Sequence, residues 1–381
     1  MKKETLEQYF RDLETLVNVD SGQDAPEGIR ENAEFFERAF RAMGWHTEMV
    51  DVGKTGPCLV VYNRAAEQYD LLLSGHLDTV FPKGTVAQRP YREENGIAYG
   101  PGICDMKAGC LSMLYVLREV PAEVLDTLNI ALIFQPDEEI GSIWAGNLIC
   151  EYAKKSRICM VFEAAADLGP SPLRCIQRKG MMRLGFRFHG RAGHAGNIFH
   201  NGAVSAIGEM AYWITRIHGL INAEKNTSAN IGIVSGGTGN NVVAALAEMS
   251  GEVRFELLEE AEKAKALIEE LYRHAEEAGV RVEATREGFE PPMNPTEETR
   301  AYAEFLNELE KANGREFTIR KRGGLSAANF ISQHLPICVD GMGPAGEKAH
   351  AETEYLVMAS VEPEITLVRD AICALAAEKT R

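Results

Sequence analysis

Apolar residues recur at Leu6, Phe10, Leu13 and Leu16-Val17, the three-to-four spacing of one helix face. The pattern predicts a helix there and a second over 26–43, which Gly44 stops. Short apolar runs follow at 58–62, 71–73, 129–134 and 158–162, with a helix over 106–120 among them. Strands this apolar, alternating with helices, predict an α/β sheet with buried strands.

The middle of the chain has a different rhythm. Residues 181–189 alternate as a strand does. Residues 203–218 read as a helix with Ile207, Ala211, Ile214 and Ile217 on one stripe. Strands at 228–235 and 248–257, a charged helix over 259–278 and a strand at 280–285 complete a β-α-β-β-α-β order, that of a ferredoxin-like unit. It reads as a second domain over 178–291 inserted into a catalytic domain made of 1–177 and 292–381. Pro291-Pro292 and Pro295 mark the return. A helix over 296–313, a strand at 337–339 and a helix over 361–378 follow.

At 381 residues the chain is long for one core, so two domains are the natural expectation. The sequence has no apolar run of membrane-spanning length. Its start, Met1-Lys2-Lys3-Glu4, lacks the apolar core of a signal peptide, so a cytoplasmic protein is expected. The eight cysteines sit singly and read as reduced core thiols. A net charge of -16 argues against nucleic acid as a partner.

Candidate chemistry gathers where the apolar runs end. His76 and Asp78 follow the run at 71–73. Two residues apart in extended chain, they would point to one side. His76 can bind a metal while Asp78 orients it, since a ligating imidazole usually gives its other N–H to a carboxylate or carbonyl. Asp105, after Gly100-Pro101-Gly102, either caps the helix it opens or bridges two metals. Glu138 and Glu139 follow the run at 129–134. In extended chain they face opposite ways, one toward metal and one toward substrate water. With Asp137 they form three adjacent carboxylates that repel one another unless a cation offsets them; the plainer reading is a solvated acidic turn. Glu163 follows the run at 158–162, and His350 lies in a glycine-rich loop. Together these make a nitrogen and oxygen donor set suited to zinc, with cobalt or manganese tolerated.

The order of motifs resembles the dinuclear zinc peptidase family of glutamate carboxypeptidases, acetylornithine deacetylase, succinyl-diaminopimelate desuccinylase and aminoacylases. The matching segments are Ser74-Gly75-His76-Leu77-Asp78-Thr79-Val80, Gly100-Pro101-Gly102 through Asp105-Met106-Lys107-Ala108-Gly109, Asp137-Glu138-Glu139-Ile140-Gly141-Ser142, Phe162-Glu163, and His350 before Glu354-Tyr355. Gly193-His194-Ala195-Gly196 and Asn240-Asn241-Val242-Val243 match within the insertion. The resemblance implies a zinc-peptidase catalytic domain of the phosphorylase/hydrolase-like α/β class, with an inserted ferredoxin-like α+β lid domain. It implies two Zn2+ per subunit, one on His76 and Glu163 and the other on Glu139 and His350, with Asp105 between them. Asp78 would support His76, and Glu138 would be the general base. His194 would reach the scissile carbonyl, often in the partner subunit's site, and Asn241 and Arg254 would face substrate. A homodimer through the insertion is implied as well. His194 also reads as a buried structural histidine, and Arg254 as one half of a salt bridge.

Two positions depart from the family. Ala327 stands in Gly323-Gly324-Leu325-Ser326-Ala327 where relatives often carry Asp. Glu290 stands before Pro291-Pro292 where carboxypeptidase-like members often carry Arg; Arg178 or Lys179 could substitute. The expected activity is therefore hydrolysis of an amide in a small peptide or an N-acyl amino acid. The glutamate carboxypeptidase branch is favoured by His76-Leu77-Asp78-Thr79-Val80-Phe81-Pro82, and N-acyl deacylases of the acetylornithine deacetylase or aminoacylase kind are the alternative. A catalytically silent binding protein would require a lost ligand or base. A dehydrogenase-like protein would require a glycine fingerprint before the first helix, and none is visible.

Overall fold

Three apolar strands run side by side and parallel: Ile130–Gln135, Tyr69–His76 and Ser156–Val161. All of Ile130–Gln135 is buried, as expected for a strand covered on both faces. Ile337–Asp340 extends the parallel set beside Ser156–Val161. On the other side Pro57–Tyr62 and then His46–Asp51 add antiparallel edges. The computed structural model describes residues 1–166 and 172–380.

The described chain divides into two units. One comprises Met1–Gln177, Asn294–Arg322 and Ser326–Arg381; the other comprises Arg178–Met293 and Gly323–Leu325. Each has its own hydrophobic core. In the first, the helix Pro26–Ala42 opens with proline, whose fixed φ suits a first turn, and buries Ile29, Ala33, Phe36 and Phe40. Phe36 stacks on Phe134 with ring centroids 4.6 Å apart. Phe134→Ala would cost about 3–5 kcal/mol by opening a cavity there. The helix Ala108–Glu119 lies so close to the sheet that a Cβ on Gly109 would come within 1.9 Å of the Phe162 carbonyl oxygen, and only glycine permits that approach.

The second unit has the element order β-α-β-β-α-β. Its sheet runs Ser228–Gly236, Leu246–Phe255, Gly180–His189 and Arg281–Glu290, each strand antiparallel to its neighbours. Ala206–His218 and Leu258–Glu277 are its helices. Trp213, fully buried, meets Phe186, Phe188 and Tyr272 edge-on at 4.9–5.2 Å. The architecture is thus an α/β catalytic domain carrying a β-rich insertion.

The sequence pattern misses the hairpin strand His46–Asp51 and the short strands Gly343–Glu347 and Tyr355–Val357. The first has only a partly buried, mixed pattern, and Gly-Pro-Ala-Gly-Glu carries no apolar alternation. All eight cysteines are free. Among the described residues no helix is long and apolar enough to cross a membrane.

Candidate metal centre

Strand register brings the candidate side chains together. His76 lies opposite Gln135, three residues before Glu138. Ser74 lies opposite Val161, so Glu163 falls level with His76 on the other neighbour. His76 is 1% exposed. Its Nδ1 lies 3.0 Å from the Asp78 carbonyl oxygen and 3.4 Å from Asp78 Oδ1. A proton on Nδ1 leaves the Nε2 lone pair free to bind a cation. Nε2 faces Asp105 Oδ1 at 3.1 Å and Glu163 Oε1 at 3.7 Å.

The Asp78 carboxylate is fully buried and organises the acidic turn. Oδ1 accepts the Glu138 N–H at 3.1 Å; Oδ2 accepts the Glu139 N–H at 3.0 Å and Gln23 Nε2 at 2.8 Å. These bonds close Glu138–Ile140 into a single helical turn, ended by Gly141 at φ 92°. The extended geometry expected for this pair is therefore replaced by a turn, because one carboxylate takes both amides. Asp137 does not join the acidic group. Its Oδ2 accepts the N–H groups of Trp144 and Ala145 at 2.6 and 3.2 Å.

Asp105 makes no capping bond to the helix that follows. Its two oxygens part: Oδ1 to His76 Nε2, Oδ2 to His350 Nε2, both at 3.1 Å. His350 Nε2 is also 3.1 Å from Glu139 Oε2. The Asp105 loop is held from below by Glu354, 1% exposed, whose carboxylate accepts the N–H groups of Gly102, Cys104 and Asp105 at 2.8–3.1 Å. Gln23 and Glu354 are the residues that sequence reasoning missed. Gln23 lies in no motif, and Glu354 stood inside a matching segment with no role attached.

The donors fit a divalent cation. One atom each from His76, Asp105 and Glu139 lie within 4.8 Å of one another. Glu139 Oε1 is buried with no hydrogen-bond partner, which is costly unless a cation takes it. Burial lifts the Glu138 carboxyl well above its ordinary value, helped by Glu163, Glu139 and Asp105 and opposed by His76. Burial also raises Glu139. Burial would raise Asp105, but His350 and His76 hold it below the usual carboxylate range. Burial would lower His76, yet Asp105, Asp78 and Glu163 push it well above the usual imidazole value. Hydrogen bonds to Asp105 and Glu139 push His350 up to about 10. Around both histidines the carboxylates favour positive charge, which a bound cation would supply.

The sequence profile of Peptidase family M20/M25/M40 matches residues 72–374. The chain belongs to this family. Over 378 residues it is 29% identical to carboxypeptidase G2 from a Pseudomonas species, covering 97% of this chain and 90% of that protein. It is 25% identical to a succinyl-diaminopimelate desuccinylase from Ruegeria pomeroyi, with 85% and 88% covered. In fold it is similar to aminopeptidase PepT from Bacillus cereus, at TM-score 0.78 and 22% identity, covering 98% of this chain and 99% of that one. The M20 metallo-carboxypeptidase Sso-CP2 from Sulfolobus solfataricus gives TM-score 0.76 at 16% identity, covering 99% and 100%. Family membership makes the chain a metal-dependent hydrolase, and no single branch dominates these likenesses.

The insertion of this M20 chain places its candidates differently. His194 and Val242 pair in a two-stranded ribbon, Gly193–His194 with Val242–Val243, and Ala195 N–H donates to the Asn241 carbonyl at 2.9 Å. His194 and Asn241 are thus neighbours, both exposed. His194 Nδ1 accepts the Gly196 N–H at 3.1 Å, which puts the neutral ring's proton on Nε2. Arg254 directs three donors at Glu252 and the Gly323 carbonyl, at 2.6–3.2 Å. Arg178 is buried and donates to the carbonyls of Gly324 and Leu325. Lys179, its neighbour, is half-buried. Glu290 is buried and ion-paired with Arg183 on the adjacent strand. Sequence reasoning missed Arg183 because its partner lies 107 residues away. Ala327 is buried at the start of a short helix.

Proposed function

We propose that the chain is a two-ion amidohydrolase that removes a C-terminal amino acid from a small peptide, as glutamate carboxypeptidases do. The observation that carries the two-ion reading is the divided Asp105 carboxylate. One oxygen faces His76 and the other His350, with Glu163 beside the first histidine and Glu139 beside the second. On this reading His76 and Glu163 would hold one zinc ion, Glu139 and His350 the other, and Asp105 would touch both. Bound ions supply Lewis acidity, which lowers the pKa of water and polarises a carbonyl oxygen.

The remaining steps belong to side chains. Glu138 takes the proton of the attacking water and returns it to the leaving nitrogen. His194, with its Nε2 proton free, donates to the carbonyl oxygen as charge builds there. Asn241 beside it offers a polar contact to substrate, and Arg254 and Arg178 are the further candidates for a substrate carboxylate. Homodimerisation through the insertion is part of this proposal. The edge strand Ser228–Gly236 supports it, with Ile233 69% and Val234 54% exposed. Val234→Lys should yield monomer in light scattering if that edge pairs.

The 29% identity to carboxypeptidase G2 over nearly the whole chain supports the carboxypeptidase reading. The buried Glu290–Arg183 pair favours a second one, an N-acyl amino acid deacylase. A carboxylate stands where carboxypeptidase-like members hold an arginine, and the nearby Arg183 is already neutralised. Amine release from a panel of dipeptides and N-acyl amino acids, with metal-stripped and zinc-loaded protein, separates the two. Zinc-dependent release from peptides ending in glutamate would support the first. Preference for acylated amino acids would replace it with the second, and no release from any member would contradict both.

A further inference from the structure

His350 is the exposed member of the donor set, and its loop has little around it. Residues 348–350, 352 and 353 are all exposed. Lys348 and His350 stand at φ 62° and 66°, a left-handed conformation that side chains rarely adopt. Two backbone hydrogen bonds shape the loop, Ala351 N–H to the Lys348 carbonyl at 3.0 Å and Glu354 N–H to the Ala351 carbonyl at 3.1 Å. The Glu354 carboxylate anchors the far end beneath the Asp105 loop. Between these points a side chain from the other end of the catalytic unit reaches the loop's backbone. Arg89 Nη1 donates to the Glu352 carbonyl at 2.8 Å, across 263 residues of sequence.

Arg89 is itself held. Its guanidinium lies over the ring of buried Phe81, 4.7 Å from the centroid, where the ring face attracts a cation. The segment carrying both residues is the one that leaves the sheet after His76 and Asp78. It is tied down along its length. Thr79 N–H donates to the Ser21 carbonyl at 2.9 Å, and Lys83 N–H to Asp24 at 3.0 Å. The Gly84 and Val86 N–H groups donate to the two oxygens of Asp20 at 2.7 and 2.9 Å. A chain of contacts thus runs from the strand end bearing His76, through Phe81 and Arg89, to the carbonyl two residues beyond His350. Arginine suits the last link, because a planar guanidinium can stack on a ring and still donate in its own plane. A histidine on an exposed loop binds an ion tightly only if the loop is ordered beforehand, since ordering it on binding costs affinity.

We propose that Arg89 is a positioning residue for His350: clamped on Phe81, it holds the Glu352 carbonyl and keeps the imidazole where the second ion binds. The part that concerns the ion rests on the two-ion reading above. The hold on the loop does not.

The test is zinc titration of the metal-free full-length chain against a chelator, in wild type, Arg89→Ala, Arg89→Lys, His350→Ala and the double variant Arg89→Ala/His350→Ala. Arg89→Ala should weaken by about tenfold the ion that His350→Ala loses, and leave the other ion and thermal unfolding unchanged. Arg89→Lys keeps a cation and a donor and should recover most of the loss. The double variant should bind zinc as His350→Ala does, because Arg89 acts only through that histidine. Unchanged zinc affinity in Arg89→Ala, equal weakening of both ions, or a further loss in the double variant would overturn the proposal. Amide hydrogen exchange in the metal-free chain reads the loop directly. The Ala351 and Glu354 amides should exchange about tenfold faster in Arg89→Ala, and equal exchange would also overturn the proposal. A wild-type chain that binds one ion would sink the two-ion reading instead, and the exchange comparison would still decide whether Arg89 holds the loop.

Discussion

The strand-end centre and the insertion's ribbon both present histidines, but they are built in opposite ways. His76 is 1% exposed, fixed at Nδ1 by Asp78 and aimed at Asp105. The turn bearing Glu138 and Glu139 hangs on the same Asp78 carboxylate. His76 and the acidic turn are thus fixed by the buried Asp78, and the Asp105 loop by the buried Glu354, before any ion arrives. His194 sits on an exposed ribbon with one local hydrogen bond to its ring. Nothing in its own unit gives its Nε2 proton a partner. The contrast is between a centre whose groups are fixed by one another and a ribbon whose histidine stands exposed; on the proposed function, the first would prepare the ion site and the second would donate to substrate.

The largest expected effect tests the first half of that contrast. Glu138→Ala should lower turnover by about 10²–10⁴-fold, with zinc content and thermal stability kept. Turnover within a few-fold of wild type would remove Glu138 as the base. His194→Ala should cost about 10²–10³-fold in turnover, as loss of a donor to a developing oxyanion does. Because His194 is exposed, its stability in urea should stay within about 0.5 kcal/mol of wild type. A large loss of stability would move His194 into the structural class and erase the contrast. Asp78→Asn should weaken zinc affinity by about 10–100-fold, since it disturbs both the imidazole and the acidic turn. Unchanged affinity in competition with a chelator would show that the centre does not depend on its buried support.

A separate effect, read on stability and not on turnover or zinc, concerns buried charge elsewhere in the catalytic unit. Glu364 has a folded-state value of about 7 against an ordinary 4.5, so the folded chain holds this proton more tightly. Its contribution to stability is full below the unfolded value and is lost as pH rises through the folded one. Glu364→Gln should therefore flatten the decline in urea stability between pH 5 and 7, by up to about 3 kcal/mol. An unchanged slope would mean that Glu364 is ionised throughout.

Much of this arrangement is legible in the sequence, for physical reasons. The runs ending before His76, Glu138 and Glu163 are apolar because central parallel strands are covered on both faces, and their ends are where an α/β sheet places ligands. The insertion's order shows because its strands and helices have the regular periods 2 and 3.6. What stays hidden depends on distant partners. Gln23 reaches Asp78 across 55 residues, and Glu354 reaches the Asp105 loop across about 250. Arg183 and Glu290 meet only through strand register. Sequence offers both an extended pair and an acidic turn at 138–139, and it cannot decide between them because the cause of the turn, the Asp78 carboxylate, lies in another strand's loop.

The central claim is that the strand-end donors, with the exposed loop residue His350, hold two ions without help from the insertion's histidine. Zinc counted per chain by elemental analysis, in wild type, His76→Ala and His194→Ala, tests it most directly. The account predicts two ions per chain in wild type and in His194→Ala, and fewer in His76→Ala. One ion or none in wild type, full occupancy in His76→Ala, or loss in His194→Ala would contradict it.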